Sequence, residues 1–161
     1  FLHAYELCLE TLMQQGGLYI GGQAYALKLI LKDDFSDAAE TAKIYRELVE
    51  EENVTLLLGP WTSTLTLEAA RVAEETGALL MSPGASDSAV YEGRDRVFGF
   101  SVPGRQMMLP AVRELKARGA RTVSFVSESA SGVWGICKEV PAHARGEGLA
   151  FLDGLIISPP N

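Results

Sequence analysis

Apolar residues along the chain follow two periods in turn, one typical of helices and one typical of strands. Apolar positions three or four residues apart predict helices over residues 1–14, 38–49, 63–76, 106–118 and 133–147. Shorter alternating or continuous apolar runs predict strands over residues 25–31, 54–58, 78–82, 97–102, 122–126 and 149–157. This order indicates an α/β fold, in which helices cover an open and mainly parallel sheet in three layers.

Residues with cap or turn chemistry mark where several of these helices begin or bend. Ser36 or Asp37 offers a side-chain oxygen to cap the second helix, and Pro110 lies in the first turn of the fourth. Pro141 lies inside the stretch 133–147. Because proline lacks an N–H donor and crowds the preceding turn, it must kink or shorten that helix.

Composition and charge exclude several classes of partner. The chain has 161 residues, of which 47% are hydrophobic, so it can bury a sizeable core but is short for two domains of average size. Its formal net charge is -7, so we expect neither nucleic acid nor an anionic membrane surface as a partner. No apolar run approaches the roughly 20 residues that cross a bilayer.

Motifs for enzyme or metal chemistry are scarce in the sequence. The chain lacks a phosphate loop, a dinucleotide-binding glycine motif and a nucleophile elbow. Cys8 and Cys137 are far apart and have no histidine at ligand spacing, so we predict that both are small buried side chains on helices. We therefore expect no catalytic residues, no metal and no cofactor.

A few polar residues leave an enzymatic alternative open. Asp33 and Asp34 end a predicted strand, where an acidic pair can bind a metal as in phosphoacceptor receiver domains. A solvated turn that closes the strand is the favoured interpretation. His3 and His143 lie in predicted helices without a partner at metal spacing, so we expect a surface or packing role for both.

The loop after the strand at 54–58 carries the first candidate binding residues, Trp61, Thr62, Ser63 and Thr64. It leads directly into a helix, whose first N–H groups and dipole favour an anion such as a carboxylate. The alternative is that Ser63 or Thr64 only caps the helix. Trp61 is either a wall on which a ligand stacks or a packing residue.

The loop after the next strand, residues 82–88, supplies Gly84, Ala85 and Ser86. Small side chains let a ligand approach the backbone, whereas Pro-Gly followed by Ser and Asp is also common in surface turns. Both loops follow strands of one parallel sheet and should therefore open at the same sheet edge, where a shared pocket would lie.

Several motifs occur in an order that is typical of one family. They are Gln15-Gly16-Gly17 ahead of residues 27–33, then DDFSDAA at 33–39, VTLLLGPWTS at 54–63, AARVAEETG at 69–77 and LMSPGAS at 80–86. As a set they resemble the type I periplasmic solute-binding proteins, in particular the branched-chain amino-acid (leucine, isoleucine and valine) binding branch of ABC transporters.

The resemblance implies two flavodoxin-like α/β lobes that close on a small solute. It places lobe 1 at residues 1–103, a helix after the crossover at 104–119 and the start of lobe 2 at 120–161. Ser63, with Gly84, Ala85 and Ser86, would hold the carboxylate and amino group of an amino acid. It also implies a transporter permease as partner and a periplasmic or extracellular location, with a lipid or receptor tether as an option.

The chain departs from the family pattern in two respects. The family has a strand ahead of the first helix and about twice this length, so we expect a fragment or processed product that lacks the first strand and the C-terminal half. A homodimer or strand exchange would cover the edges left unpaired. Arg105 stands where the family tends to have an aspartate. If Arg105 reaches the cleft between the lobes, it would favour a more acidic solute. The alternative is a position on the surface.

From the sequence we therefore predict a binding module for a small carboxylate-bearing solute such as an amino acid. A sensory or regulatory ligand-binding domain on the same fold is the first alternative. An enzyme or receiver-like domain on a flavodoxin-like sheet is the second, and it would need its chemistry at Asp33, Asp34 and Ser63.

Overall fold

A computed structural model describes residues 2–129 and 131–158. The chain divides into two compact units, Phe1–Asp33 and Asp34–Asn161. All eight candidate binding residues lie in the second unit.

The first unit consists of one helix and one hairpin, α1 (Leu2–Gln14), β1 (Leu18–Ile20) and β2 (Gln23–Tyr25). The two strands are antiparallel, and Gly21 and Gly22 form the turn with φ of 58° and 83°. Positive φ at both turn positions is typical of a two-residue hairpin turn, and glycine adopts it without strain. This hairpin was not predicted from the sequence, although a Gly-Gly pair between short alternating runs signals it.

Two predictions for the first unit are wrong. The strand expected over residues 25–31 is absent: Tyr25 ends β2, and residues 26–34 have no ladder partner among the described residues. Alternation favours an extended backbone, but a strand also needs a neighbour to pair with. Cys8 is exposed rather than buried, because every described residue of α1 remains at least partly accessible to solvent.

The second unit begins with a parallel three-stranded sheet in the order β3-β4-β5. Its elements are α2 (Ala38–Glu50), β3 (Leu56–Leu58), α3 (Ser63–Thr76), β4 (Leu79–Ser82), a 3-10 helix (Ser88–Val90) and β5 (Val97–Gly99). The predicted helices and strands occur in this order, although β3 begins at Leu56 rather than at residue 54 and β5 ends at Gly99 rather than at residue 102, because strand pairing covers only part of each apolar run.

Burial alternates along these strands and defines the covered face of the sheet. Leu57, Leu80 and Val97 are buried, whereas their neighbours Leu56 and Phe98 are exposed. Helices α2 and α3 pack against each other and bury one stripe each. This arrangement fixes the carboxyl ends of β3 and β4 relative to the start of α3, where the candidate site lies.

The remainder of the second unit has its own hydrophobic cluster and a parallel strand pair, β6 with β7. Its elements are α4 (Gly104–Met107), α5 (Leu109–Ala117), β6 (Thr122–Glu128), α6 (Ser131–Cys137), α7 (Val140–Gly146) and β7 (Ala150–Ile157). The cluster is formed by Val112, Val123, Val140, Ala144 and Leu149, with Met108, Phe125 and Phe151 packed against it.

Prolines divide two of the predicted helices. The single helix expected over 106–118 is instead two helices that meet at Met108. Pro110 has no N–H to donate to a carbonyl of the preceding turn, so the helix is interrupted ahead of it. Pro141 lies in the first turn of α7, which begins at Val140, so the predicted interruption of the stretch 133–147 is confirmed. The α/β fold class with parallel sheets is likewise confirmed.

Candidate functional site

The first turn of α3 is capped by Thr62, and this corrects the sequence-based alternative of a cap at Ser63 or Thr64. Thr62 has an extended backbone (φ -90°, ψ 154°), and its side-chain oxygen accepts a hydrogen bond from the amide of Leu65 at 3.2 Å. Its carbonyl oxygen accepts from the amide of Thr66 at 2.9 Å. Capping by Thr62 leaves the hydroxyl of Ser63 available for other contacts.

Ser63 joins the two candidate loops. Its hydroxyl oxygen accepts hydrogen bonds from the amides of Ser86 and Asp87, each at 3.2 Å, and only 5% of the residue is exposed. The two loops therefore lie side by side, as expected from their positions after neighbouring parallel strands. Since the oxygen acts as acceptor twice, its own hydrogen can be donated to a third group.

The segment 82–88, called the pocket loop below, is fastened by side chains from several directions. The Ser82 hydroxyl accepts from the amide of Ala85 at 3.4 Å. The Tyr91 hydroxyl donates to the carbonyl of Ala85 at 2.7 Å, and the Ser101 hydroxyl donates to that of Pro83 at 2.8 Å. Burial raises the pKa of the Tyr91 phenol, and a hydrogen bond with Ser82 opposes that rise. Neither Tyr91 nor Ser101 was singled out from the sequence.

Trp61 lies directly against Gly84 in the pocket loop. A Cβ atom at Gly84 would stand 2.6 Å from both the carbonyl oxygen and the ring Cε3 of Trp61. Such distances are far below van der Waals contact, so only glycine fits there. Trp61 remains 61% exposed, so its ring forms part of the surface beside the loop and is not a core residue.

A small cavity of about 110 Å³ opens where the two loops meet. It is lined by Ser63, Thr64, Leu67, Asp87, Ala89 and Val90. Drug-sized ligands occupy cavities of about 300–1,000 Å³, so this space has room for only one small group of a solute. The N-terminal N–H groups of α3 contribute partial positive charge at its wall.

Arg105 lies beside a second cavity of about 360 Å³, together with Tyr91, Glu92, Phe98 and Ser101. Its Nη1 atom is 3.9 Å from Oε1 of Glu92, and both side chains are largely exposed. The 3-10 helix contributes Ser88 to this cavity and Ala89 and Val90 to the smaller one, so it stands between them. The structure thus brings the candidate residues of the two loops, 61–64 and 84–86, to one sheet edge. Arg105 is separated from them by the 3-10 helix.

The acidic and imidazole residues considered earlier have local structural partners. Asp34 accepts from the amide of Ser36 at 3.0 Å and from the hydroxyl of Thr41 at 3.0 Å, as in a capped turn. The ring of His143 contacts the carbonyl oxygen of Arg105, and that of His3 contacts Glu6.

Within residues 2–129 and 131–158, no cluster of three or more His, Cys, Asp or Glu forms a metal site. No helix in the same ranges is both long and apolar enough to span a membrane.

A parallel α/β fold with a cavity beyond the carboxyl ends of its strands is typical of proteins that bind small molecules at that edge. The chain belongs to the periplasmic binding protein family, whose family model matches residues 1–157.

Solved structures with the same fold include several transporter proteins. An ABC transporter substrate-binding protein from Desulfitobacterium hafniense in complex with Leu aligns with a TM-score of 0.81 at 18% identity, over 96% of this chain and 45% of that one. The branched-chain amino acid transporter substrate binding protein LivJ from Streptococcus pneumoniae, in complex with isoleucine, gives 0.78 at 23% identity, over 97% and 43%.

A third structure carries a different ligand on the same fold. The solute binding protein of an ABC transporter from Rhodopseudomonas palustris, in complex with 3,4-dihydroxybenzoic acid, aligns with a TM-score of 0.80 at 16% identity, over 95% of this chain and 42% of that one. The chain therefore spans less than half the length of these proteins. The predicted type I periplasmic binding protein lobe is confirmed as the fold.

Proposed function

We propose that the chain provides the first-lobe half of a solute-binding site and that the solute carries a carboxylate. The observation that carries the proposal is the contact of Ser63 with the amides of Ser86 and Asp87, which joins two separate loops around one small cavity. The carboxylate would lie at the first turn of α3 and accept from the hydroxyl of Ser63.

The ligands of three structural neighbours support this choice of chemistry. They are leucine, isoleucine and 3,4-dihydroxybenzoic acid, and the carboxylate is the one functional group that all three share. A cavity of about 110 Å³ accommodates the shared group and leaves the variable remainder outside it. We therefore assign the carboxylate to the Ser63 cavity and leave the choice between amino acids and aromatic acids to experiment.

The proposed lobe boundaries are those of the sequence analysis, with lobe 1 at residues 1–103, the connecting helical segment at 104–119 and the start of lobe 2 at 120–161. Closure of the lobes would exclude water from the solute and strengthen its hydrogen bonds. We expect binding without turnover, delivery to an ABC transporter permease and an extracytoplasmic location. Within this family we propose the branched-chain amino-acid (leucine, isoleucine and valine) binding branch of ABC transporters.

A thermal-shift screen with matched pairs of acids and amides tests the proposal. Leucine, isoleucine and 3,4-dihydroxybenzoate are each compared with the corresponding carboxamide. At about 100 times its Kd, a bound solute should raise Tm by about 5–10 °C, and the carboxamide should raise it much less. Equal shifts from acid and amide would contradict a carboxylate site, and no shift from any acid would contradict the solute class.

A further inference from the structure

Asp87 occupies a junction between the cavity and the C-terminal part of the second unit. Its amide donates to Ser63 Oγ at 3.2 Å, and its Oδ1 accepts from the amide of Ala89 at 3.1 Å. The same Oδ1 lies 3.6 Å from Nζ of Lys138, which follows α6. One residue thus connects a wall of the cavity with a cation from a distant part of the sequence.

Close backbone approach accompanies this ion pair. A Cβ atom at Gly135 in α6 would stand 3.2 Å from Cγ of Asp87. The amide of Gly104, at the start of α4, donates to the carbonyl of Ser86 at 2.7 Å, and a Cβ there would lie 2.9 Å from that oxygen. Helices α4 and α6 therefore lie directly against the pocket loop, and glycine is what permits the contact.

The Lys138–Asp87 pair is better shielded than the lysine pairs on α2. The side chains of Lys138 and Asp87 are 33% and 17% exposed, whereas that of Lys43, paired with Glu40 and Glu47 on α2, is 63% exposed. Exposed pairs contribute little and are screened by salt, whereas shielded ones are attenuated less. Lys43 is therefore a suitable matched control.

We propose that Lys138 is a positioning residue of the site: through Asp87 it holds the amides of Ser86 and Asp87 on Ser63 and so keeps the cavity in its binding arrangement. Lys138 itself does not line the cavity. The effect on solute affinity rests on the proposed function, whereas the effect on the pocket loop does not require a solute.

Amide hydrogen exchange of the solute-free protein tests the effect on the loop. In Lys138→Met, the amides of Ser86 and Asp87 should exchange about threefold to tenfold faster than in the parent, while those of β6 and β7 are unchanged. Lys138→Arg should restore slow exchange, and Lys43→Met should leave it unaltered. Asp87→Asn, which keeps an oxygen for Ala89, should resemble Lys138→Met, and the two changes together should add nothing further.

Two outcomes of the exchange measurement would overturn the proposal. Unchanged exchange at Ser86 and Asp87 in both Lys138→Met and Asp87→Asn would show that the ion pair does not hold the loop. Faster exchange throughout the chain, with a lower Tm, would show a general structural role and would equally contradict it.

Calorimetry with leucine and 3,4-dihydroxybenzoate then separates this inference from the proposed function. If either acid binds the parent, Lys138→Met should raise its Kd by about threefold to tenfold and Lys43→Met should not. A Kd that is unchanged in Lys138→Met overturns the positioning role. If neither acid binds the parent, the proposed solute class fails, and the exchange measurement alone decides whether Lys138 holds the loop.

Discussion

The hydroxyl oxygen of Ser63 lies 3.2 Å from the amide nitrogen of Ser86 and thereby joins the start of α3 to the loop after β4. Ser63 is the first residue of α3 and Ser86 lies in the pocket loop, and neither is needed to cap the helix, which Thr62 does. Because a buried polar group that already has hydrogen-bond partners is held in place, little entropy is lost in ordering it when a solute binds. This contact is why we place the carboxylate of the solute at this point.

Replacing Gly84 by alanine should damage the site through its contact with Trp61. The added Cβ would meet backbone and ring atoms at 2.6 Å, so the loop must move, at a cost of about 1–3 kcal/mol in the free energy of unfolding. Urea unfolding measures the loss. Gly146→Ala is the matched control: Gly146 lies in α7 with open space around it, so alanine there should be neutral or stabilising. Equal stability of the two variants would contradict the close contact.

Tyr91→Phe should loosen the pocket loop without leaving a cavity. The change removes the hydroxyl that donates to the carbonyl of Ala85, a residue that is almost completely buried. We expect a loss of about 1 kcal/mol in the free energy of unfolding, because that carbonyl then lacks its partner. Tyr19→Phe, at an exposed position of the hairpin, should change nothing measurable. A Tyr91→Phe variant as stable as the parent would show that the bond is dispensable.

Thr62→Ala tests the position of the helix cap. Loss of the side-chain oxygen that accepts from Leu65 should lower the free energy of unfolding by about 1 kcal/mol, and Thr62→Ser should recover most of it. Thermal unfolding of the three proteins is the measurement. If alanine is tolerated at position 62 without loss, the cap lies elsewhere.

The pair formed by Arg113 and Glu147 should make part of the stability depend on pH. Hydrogen bonding by Arg113, with Nε 2.8 Å from Oε1, holds the pKa of Glu147 below its usual value, and Lys116 adds to this. The contribution of this pair to the free energy of unfolding is complete above the pKa of the carboxyl in the unfolded chain, about 4.3. It is lost as the pH falls through the lowered pKa of Glu147 in the folded protein.

Glu147→Gln measures that contribution by comparison. Its Tm should lie slightly below that of the parent at pH 7, and the two curves should converge as the pH is lowered to about 3. Added salt should reduce the difference at pH 7, because the pair is exposed. A difference in Tm that stays constant from pH 7 to pH 3 would show that the charge of Glu147 is not what stabilises the fold.

Helices with clear caps could be predicted from the sequence, whereas pairings between distant residues could not. The bounds of α3 agree with the prediction, Ser63 to Thr76, because an apolar stripe ends at Gly77, which adopts the left-handed conformation. The strand expected over 25–31 failed because the pattern does not specify a partner.

In the site, too, features set by the order of the elements could be predicted, whereas contacts of single side chains could not. The two loops were predicted because each follows a strand of one sheet, and their order in the chain is enough to bring them together. The roles of Tyr91 and Lys138 were missed, since a single tyrosine or lysine in a sequence carries no sign of the backbone or carboxylate it will contact. Only the folded chain shows the hydrogen bond of Tyr91 to the carbonyl of Ala85 and the ion pair of Lys138 with Asp87.

Calorimetric titration of Ser63→Ala with the acid that gives the largest thermal shift tests the central claim most directly. Ser124→Ala, at an exposed position of β6, serves as the control, and circular dichroism verifies that both variants are folded at the titration temperature. Ser63→Ala should raise the Kd about tenfold or more, since it removes a donor to the carboxylate and the acceptor of two loop amides, while Ser124→Ala should bind like the parent. Binding by Ser63→Ala with the affinity of the parent would contradict the account.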